Sequence, residues 1–89
     1  KEFDIIASSW EFNPDLIEVD LGDRVILHVE SIDTFHGIGL IDFGINAQLS
    51  PGEIVDIEFI ADKKGSFSFF CSVSCGGGHS GMTGVLVVN

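Results

Sequence analysis

The residues most able to do chemistry lie close together in the last quarter of the sequence. This segment reads Cys71-Ser-Val-Ser-Cys75-Gly-Gly-Gly-His79-Ser-Gly-Met82, with the spacing C-x3-C-x3-H-x2-M, and it contains the only methionine. A second histidine, His36, lies far upstream. Thiolate, imidazole and thioether form a soft-to-borderline donor set, which favours copper over magnesium, calcium or manganese. The sequence therefore predicts a copper site.

Two copper arrangements are compatible with these ligands. In a mononuclear site, Cys75 supplies one thiolate, two histidines supply imidazoles and Met82 supplies a weak axial thioether. In a binuclear site, Cys71 and Cys75 both bridge two copper ions, and each ion also receives one imidazole and one weak axial ligand. Met82 can serve only one of the two ions, so a backbone carbonyl between the cysteines is expected to serve the other.

Other interpretations of the same residues remain open. A disulfide between Cys71 and Cys75 would be favoured outside the cytoplasm, and two cysteines with two histidines would also suit zinc. Met82 and His36 could each be ordinary core residues. A disulfide gives His79 and Met82 no function, and a thioether has no function in a zinc site. Copper is therefore the favoured interpretation.

Composition and charge limit the possible partners. Fourteen acidic residues stand against four basic ones, giving a formal net charge of −10. Nucleic acid is excluded as a partner because phosphate binding needs a basic surface. The charge suits a basic protein partner, or serves solubility alone. No apolar run approaches the roughly 20 residues that span a bilayer, so we expect no membrane contact from this segment, and an anchor upstream is compatible with it.

The elements that must position the ligands have the period of β-strands. In one run Val25, Leu27 and Val29 are apolar at alternate positions, as expected when one face of a strand meets a core. The strand candidates are residues 3–7, 16–20, 25–30, 54–59, 66–71 and 85–88. Turn signals such as Ser50-Pro51-Gly52 separate these runs, and no segment has a helical period. The pattern predicts an all-β antiparallel sandwich or small barrel of about seven short strands with Greek-key connections.

The ligand segment resembles the CuA domain of cytochrome c oxidase subunit II. That family carries C-S-x-x-C-G-x-x-H-x-x-M, which residues 71–82 match without a gap. Its upstream D-x-x-H-G/S segment is matched by residues 33–37, and its L-x-P-G-E turn by residues 49–53. Residues 10–19 resemble its aromatic entry strand. The resemblance covers nearly the whole chain.

The resemblance implies a cupredoxin-like Greek-key β-sandwich of about seven or eight strands, formed by residues 1–89 as a single domain. It also implies a mixed-valence pair of copper ions bridged by both cysteines. The upstream histidine and the methionine would complete one ion, and the other histidine with a backbone carbonyl would complete the second. The implied ligands are His36, Cys71, the Val73 carbonyl, Cys75, His79 and Met82. Oxidase subunits commonly have Glu in place of Val73, and valine cannot hold the magnesium ion that this carboxylate helps to bind.

The function implied is one-electron transfer outside the cytoplasm, by a domain that is not itself an enzyme. Electrons would come from a donor such as cytochrome c and pass to a terminal oxidase-type acceptor. A mononuclear blue or red cupredoxin and a copper-delivery or storage protein are the alternatives. Nitrous-oxide reductase also has a CuA domain, but its catalytic copper cluster needs many more histidines than the three present here.

Two further residues carry expectations. His28 alternates outward on a strand candidate, so it is predicted to be a surface histidine. Trp10 is the only tryptophan. We interpret it as a core aromatic, with an electron-entry or partner-contact residue near the site as the alternative.

Overall fold

The computed structural model describes residues 1–74 and 76–89, with the backbone alone for His79. Its nine strands are β1 (Glu2–Ser8), β2 (Glu11–Asn13), β3 (Leu16–Val19), β4 (Arg24–Ser31), β5 (His36–Leu40), β6 (Ile45–Leu49), β7 (Ile54–Ile60), β8 (Gly65–Phe70) and β9 (Thr83–Val88). Two short 3-10 turns cover Ile41–Phe43 and His79–Gly81. These ranges contain no α-helix, in agreement with the sequence pattern.

The strands form two sheets, ordered β2-β1-β4-β7 and β3-β9-β8-β5-β6. The expectation of a fully antiparallel sandwich is wrong in two places, because β1 pairs with β4 and β3 pairs with β9 in parallel. The cause is the path of the chain, which crosses to the second sheet between β2 and β3 and returns to the first between β3 and β4. Each of these early strands is therefore placed beside a strand that follows much later in the sequence.

The core lies between the two sheets and follows the alternation of the sequence. On β4, Val25, Leu27 and Val29 are buried while the residues between them face outward. Across the sandwich, the rings of Phe12 and Phe69 meet edge to face with centroids 5.3 Å apart. Burying each such side chain contributes about 1.5–3 kcal/mol, which stabilises the framework that carries the ligand segments.

Strand β5 was not among the strand candidates, nor were β2 and β6. All five residues of β5 are buried, and its two glycines face away from the core. The Phe70 ring covers Gly39, where an added Cβ would lie only 2.9 Å from the ring. The strand is important for the site because it begins at His36, which pairs with Leu49 of β6.

Candidate metal centre

Three of the predicted ligands lie at the ends of neighbouring strands in the five-stranded sheet. His36 is the first residue of β5, Cys71 follows β8 directly, and Met82 precedes β9. All three side chains are buried. The Cys71 backbone N–H donates to the Met82 carbonyl at 3.1 Å, so the hairpin ladder of β8 and β9 extends as far as these two residues. These three predicted ligands are therefore attached to the hydrogen-bonded strand ends of the sheet.

The Cys71 sulfur lies beside two other predicted donors. Its Sγ is 4.0 Å from Nδ1 of His36 and 3.1 Å from the Val73 carbonyl oxygen, to which the thiol donates. Typical metal–nitrogen and metal–sulfur bonds of about 2.0 and 2.3 Å add up to more than the distance from Sγ to Nδ1. One ion can therefore contact both the imidazole and the sulfur without a rearrangement of the strands.

Asp33 fixes the orientation of the His36 ring. Its Oδ1 lies 2.8 Å from Nε2 of His36. An ionised carboxylate can only accept a hydrogen bond, so Nε2 carries the ring proton. Nδ1, the nitrogen that faces Cys71, then keeps its lone pair for a metal. A carboxylate behind a ligating histidine is the usual means of setting its tautomer in metal sites.

Asp33 is in turn held by the backbone. The Ser9 N–H donates to Oδ2 and the Thr34 N–H to Oδ1, both at 2.7 Å. The pKa of Asp33 is lowered to about 2. The hydrogen bond from Ser9 is the largest cause, and the bond from His36 lowers the pKa further, against the opposing effect of burial. The carboxylate therefore stays ionised at neutral pH. It connects the chain just after β1 to the first residue of β5.

Gly37 allows the ligand segment to lie directly on β5. A Cβ added at Gly37 would overlap the Ser72 hydroxyl and lie 3.2 Å from the Val73 backbone nitrogen. Ser72 Oγ is buried and has no hydrogen-bond partner among the described residues. The segment from Cys71 to Val73 thus packs against the strand at the residue next to His36, which keeps the Val73 carbonyl close to the sulfur.

Two predicted ligands are not tested by this geometry. Cys75 and the side chain of His79 lie outside the described residues. Within residues 1–74 and 76–89, apart from that side chain, no group of three or more His, Cys, Asp or Glu residues is arranged to hold a metal ion. The donors that are described, one imidazole nitrogen, one thiol, one thioether and one carbonyl, fit the soft-to-borderline preference of copper.

A profile of the family described as "Cytochrome C oxidase subunit II, periplasmic domain" matches residues 11–89. The chain belongs to this family. Cytochrome c oxidase subunit 2 of Thermus thermophilus is 30% identical over 84 residues, which cover 94% of this chain and 62% of that protein. The chain thus spans less than two thirds of this oxidase subunit.

Two solved structures have the same fold as this member of the subunit II family. The periplasmic domain of subunit II of cytochrome oxidase (CoxB) of Bradyrhizobium japonicum gives a TM-score of 0.89 at 20% identity, covering 99% of this chain and 83% of that one. Auracyanin A, a "blue" copper protein from Chloroflexus aurantiacus, gives 0.78 at 18% identity, covering 100% and 98%. The prediction of an all-β, cupredoxin-like sandwich is confirmed.

Membership of the subunit II family also confirms the predicted location outside the cytoplasm, because the family is defined by a periplasmic domain. In the part of the chain that the structure describes, no helix has the length and apolar character needed to cross a membrane.

Sequence reasoning missed two contacts around the site and misjudged one residue. The motif at residues 33–37 places the Asp33 carboxylate near a candidate ligand histidine, and a carboxylate hydrogen-bonded to such a histidine sets its tautomer. The hydrogen bond from Ser9 has no local signal. The interpretation of Trp10 as a core aromatic is wrong, because its side chain is 47% exposed and lies against Gly76 and Gly78.

His28 lies on the outer face of the four-stranded sheet, as predicted for a surface histidine. Its Nδ1 is 2.6 Å from Asp56 and its Nε2 is 2.7 Å from Glu2. It is therefore engaged in links between strands, with both ring nitrogens used.

Proposed function

We propose that this chain binds two copper ions in a CuA-type centre and transfers single electrons through it. The cysteines would bridge both ions, and the remaining donors would complete one ion each. The proposed ligands are His36, Cys71, the Val73 carbonyl, Cys75, His79 and Met82. The domain, residues 1–89, would be an electron carrier and not itself an enzyme.

The position of the Cys71 sulfur is the observation that carries this proposal. A bridging sulfur must lie near the other ligands of both ions. In the proposed centre, His36 belongs to one copper ion and the Val73 carbonyl to the other. Cys71 Sγ lies 4.0 Å from Nδ1 of the first and 3.1 Å from the oxygen of the second. In a mononuclear site built on Cys75, Cys71 would not be a ligand, and its nearness to both donors would have no part in metal binding.

The surrounding residues favour fast electron transfer. A mixed-valence copper pair, when bound, would supply a one-electron couple whose charge is shared between two ions. His36, Cys71 and Met82 are buried at strand ends, and the His36 ring is held by Asp33. Ligands fixed in this way rearrange little when the oxidation state changes, and little rearrangement lowers the barrier to transfer.

Family membership and charge support a proposal for the partners. We propose that electrons arrive from a donor such as cytochrome c and leave to a terminal oxidase-type acceptor. The net charge of −10 suits a basic donor, because opposite charges steer partners together over long distances. The chain spans 62% of its Thermus thermophilus relative, so the partners of the whole relative are a proposal for this chain.

Copper stoichiometry together with the EPR spectrum of the oxidised protein tests the proposal. We expect two copper ions per chain, a purple colour and a seven-line hyperfine pattern, because one unpaired electron would be shared by two copper nuclei. One copper per chain with a four-line pattern and a single intense blue or red band would instead assign a mononuclear cupredoxin. Rapid loss of copper to a mild chelator would favour a delivery or storage protein.

A further inference from the structure

The indole ring of Trp10 lies on the glycine segment that separates two proposed ligands. A Cβ added at Gly78 would overlap the centre of the indole, at Cγ, Cδ2 and Cε3, and one added at Gly76 would lie 3.1 Å from Cζ2 and Nε1. The ring therefore covers the backbone from residue 76 to residue 78. In the sequence these residues lie between Cys75 and His79.

We propose that Trp10 is a positioning residue of the metal centre, which fixes the backbone of residues 76–78 and thereby the spacing of the ligands on either side. The inference rests on the proposed function, because it concerns the same copper site. Three glycines in a row leave this backbone free to adopt many conformations, because glycine loses the most conformational freedom on ordering. A flat ring packed against the backbone restricts those conformations.

The location of Trp10 in the fold supports its proposed role as a positioning residue. Its neighbour Ser9 donates to Asp33 at 2.7 Å, and Asp33 holds the ring of His36. Residues 9 and 10 therefore contact both halves of the proposed site, the strand that carries His36 and the loop that carries the later ligands. A shift of this short segment would move both halves together, which is how a positioning residue can act without touching the metal.

A double-mutant cycle with Trp10→Ala and Gly78→Ala tests the contact. Gly78 has no positive φ, so alanine is compatible with its backbone and the cost comes from the indole. We expect each single variant to release copper to a chelator about tenfold faster or more, with a broadened hyperfine pattern and a shifted reduction potential. In the Trp10→Ala background, Gly78→Ala should add less than about twofold, because no ring remains to be displaced.

Gly77→Ala is the matched control. A Cβ at this position meets nothing within 4 Å, and its φ is also not positive. It changes the same loop by the same methyl group, so its copper release should stay within about twofold of the wild type. Equal effects of Gly77→Ala and Gly78→Ala, or fully additive effects of Trp10→Ala and Gly78→Ala, would overturn the inference.

Failure of the inference and failure of the proposed function give different results. One copper per chain in the wild-type protein would reject the binuclear function. The double-mutant cycle, measured on copper release, would still test the contact of Trp10 with the loop. Two copper ions in the wild type together with additive variants would reject the contact alone. If Gly78→Ala does not fold, recovery of folding by added Trp10→Ala supports the contact, and continued failure to fold contradicts it.

Discussion

Cys71 is the residue that separates the binuclear from the mononuclear interpretation. Its sulfur contacts the Val73 carbonyl and lies near the His36 ring, which is where the proposed bridging sulfur would have to lie. We expect Cys71→Ser to abolish the delocalised centre, because a hydroxyl is a poor bridging donor for soft copper. The seven-line pattern should be lost and the copper content should fall to at most one ion. An unchanged spectrum would show that Cys71 does not bridge, and Cys75→Ser gives the companion measurement.

We expect Asp33 to act on copper binding through its hydrogen bond to His36, without contacting the metal. With Asp33→Ala, the His36 ring loses the acceptor that sets its tautomer, and Ser9 loses its hydrogen-bond partner. Removing such a partner typically costs about 10–100-fold in metal affinity, so we expect copper affinity to fall in that range in a competition titration. Asp62→Ala, which removes an exposed carboxylate elsewhere, is the control. Equal affinities of the two variants would contradict this function of Asp33.

Met82 is buried in the core, and its proposed thioether bond is weak. We expect Met82→Leu to keep two copper ions and the seven-line pattern, because an axial thioether tunes the metal more than it holds it. The reduction potential should shift, and the free energy of unfolding should fall by less than about 1.5 kcal/mol, since leucine and methionine have similar volumes. Complete loss of copper would show instead that Met82 is essential for binding.

At the scale of elements, His28 joins three strands of one sheet. It lies on β4 and bonds to Asp56 on β7 and to Glu2 on β1. Both carboxylates accept, so both ring nitrogens must donate, and only the imidazolium form satisfies both bonds. The bond to Asp56 and then the bond to Glu2 raise the pKa of His28 to about 9.

This raised pKa predicts how stability depends on pH. The folded-state pKa lies above the ordinary value of 6.5, so the contribution of His28 is fully present below pH 6.5 and is lost as the pH rises towards 9. We expect the difference in Tm between the wild type and His28→Gln to shrink steadily over this window. A Tm difference that stays constant from pH 6 to 10 would mean that the protonated ring does not bridge the strands.

Strands with regular alternation could be predicted from the sequence, whereas the strand that carries His36 could not. Alternate burial of Val25, Leu27 and Val29 on β4 follows directly from the local pattern. Strand β5 contains glycines that face away from the core and are covered by residues 70–73. That covering depends on chain segments distant in sequence, so no local period reveals it. The proposed ligand types could be predicted because their chemistry and spacing are local, while the hydrogen bond from Ser9 to Asp33 joins residues brought together only by folding.

At the scale of the whole molecule, the negative charge lies on the surface. None of the fourteen acidic side chains is buried, so all of them act on an approaching partner through solvent. The surface next to His36 has a different character, because Ile32 and Phe35 are exposed there. Ser9 donates a hydrogen bond to Asp33, and the exposed Trp10, which follows Ser9 in the chain, therefore lies near the same region.

The charge predicts a rate of association that falls with salt and the apolar surface predicts a rate independent of salt, and the charge should prevail at long range. The screening length falls from about 30 Å at 0.01 M to about 10 Å at 0.1 M salt. Attraction between a chain of net charge −10 and a lysine-rich cytochrome c should therefore weaken strongly over that range. We expect the bimolecular rate of electron uptake, measured by stopped flow, to fall by about tenfold or more, while the EPR spectrum of the copper centre stays unchanged. A rate independent of salt would show that the apolar surface beside His36 governs docking, and it would reject electrostatic steering without affecting the proposed copper ligands.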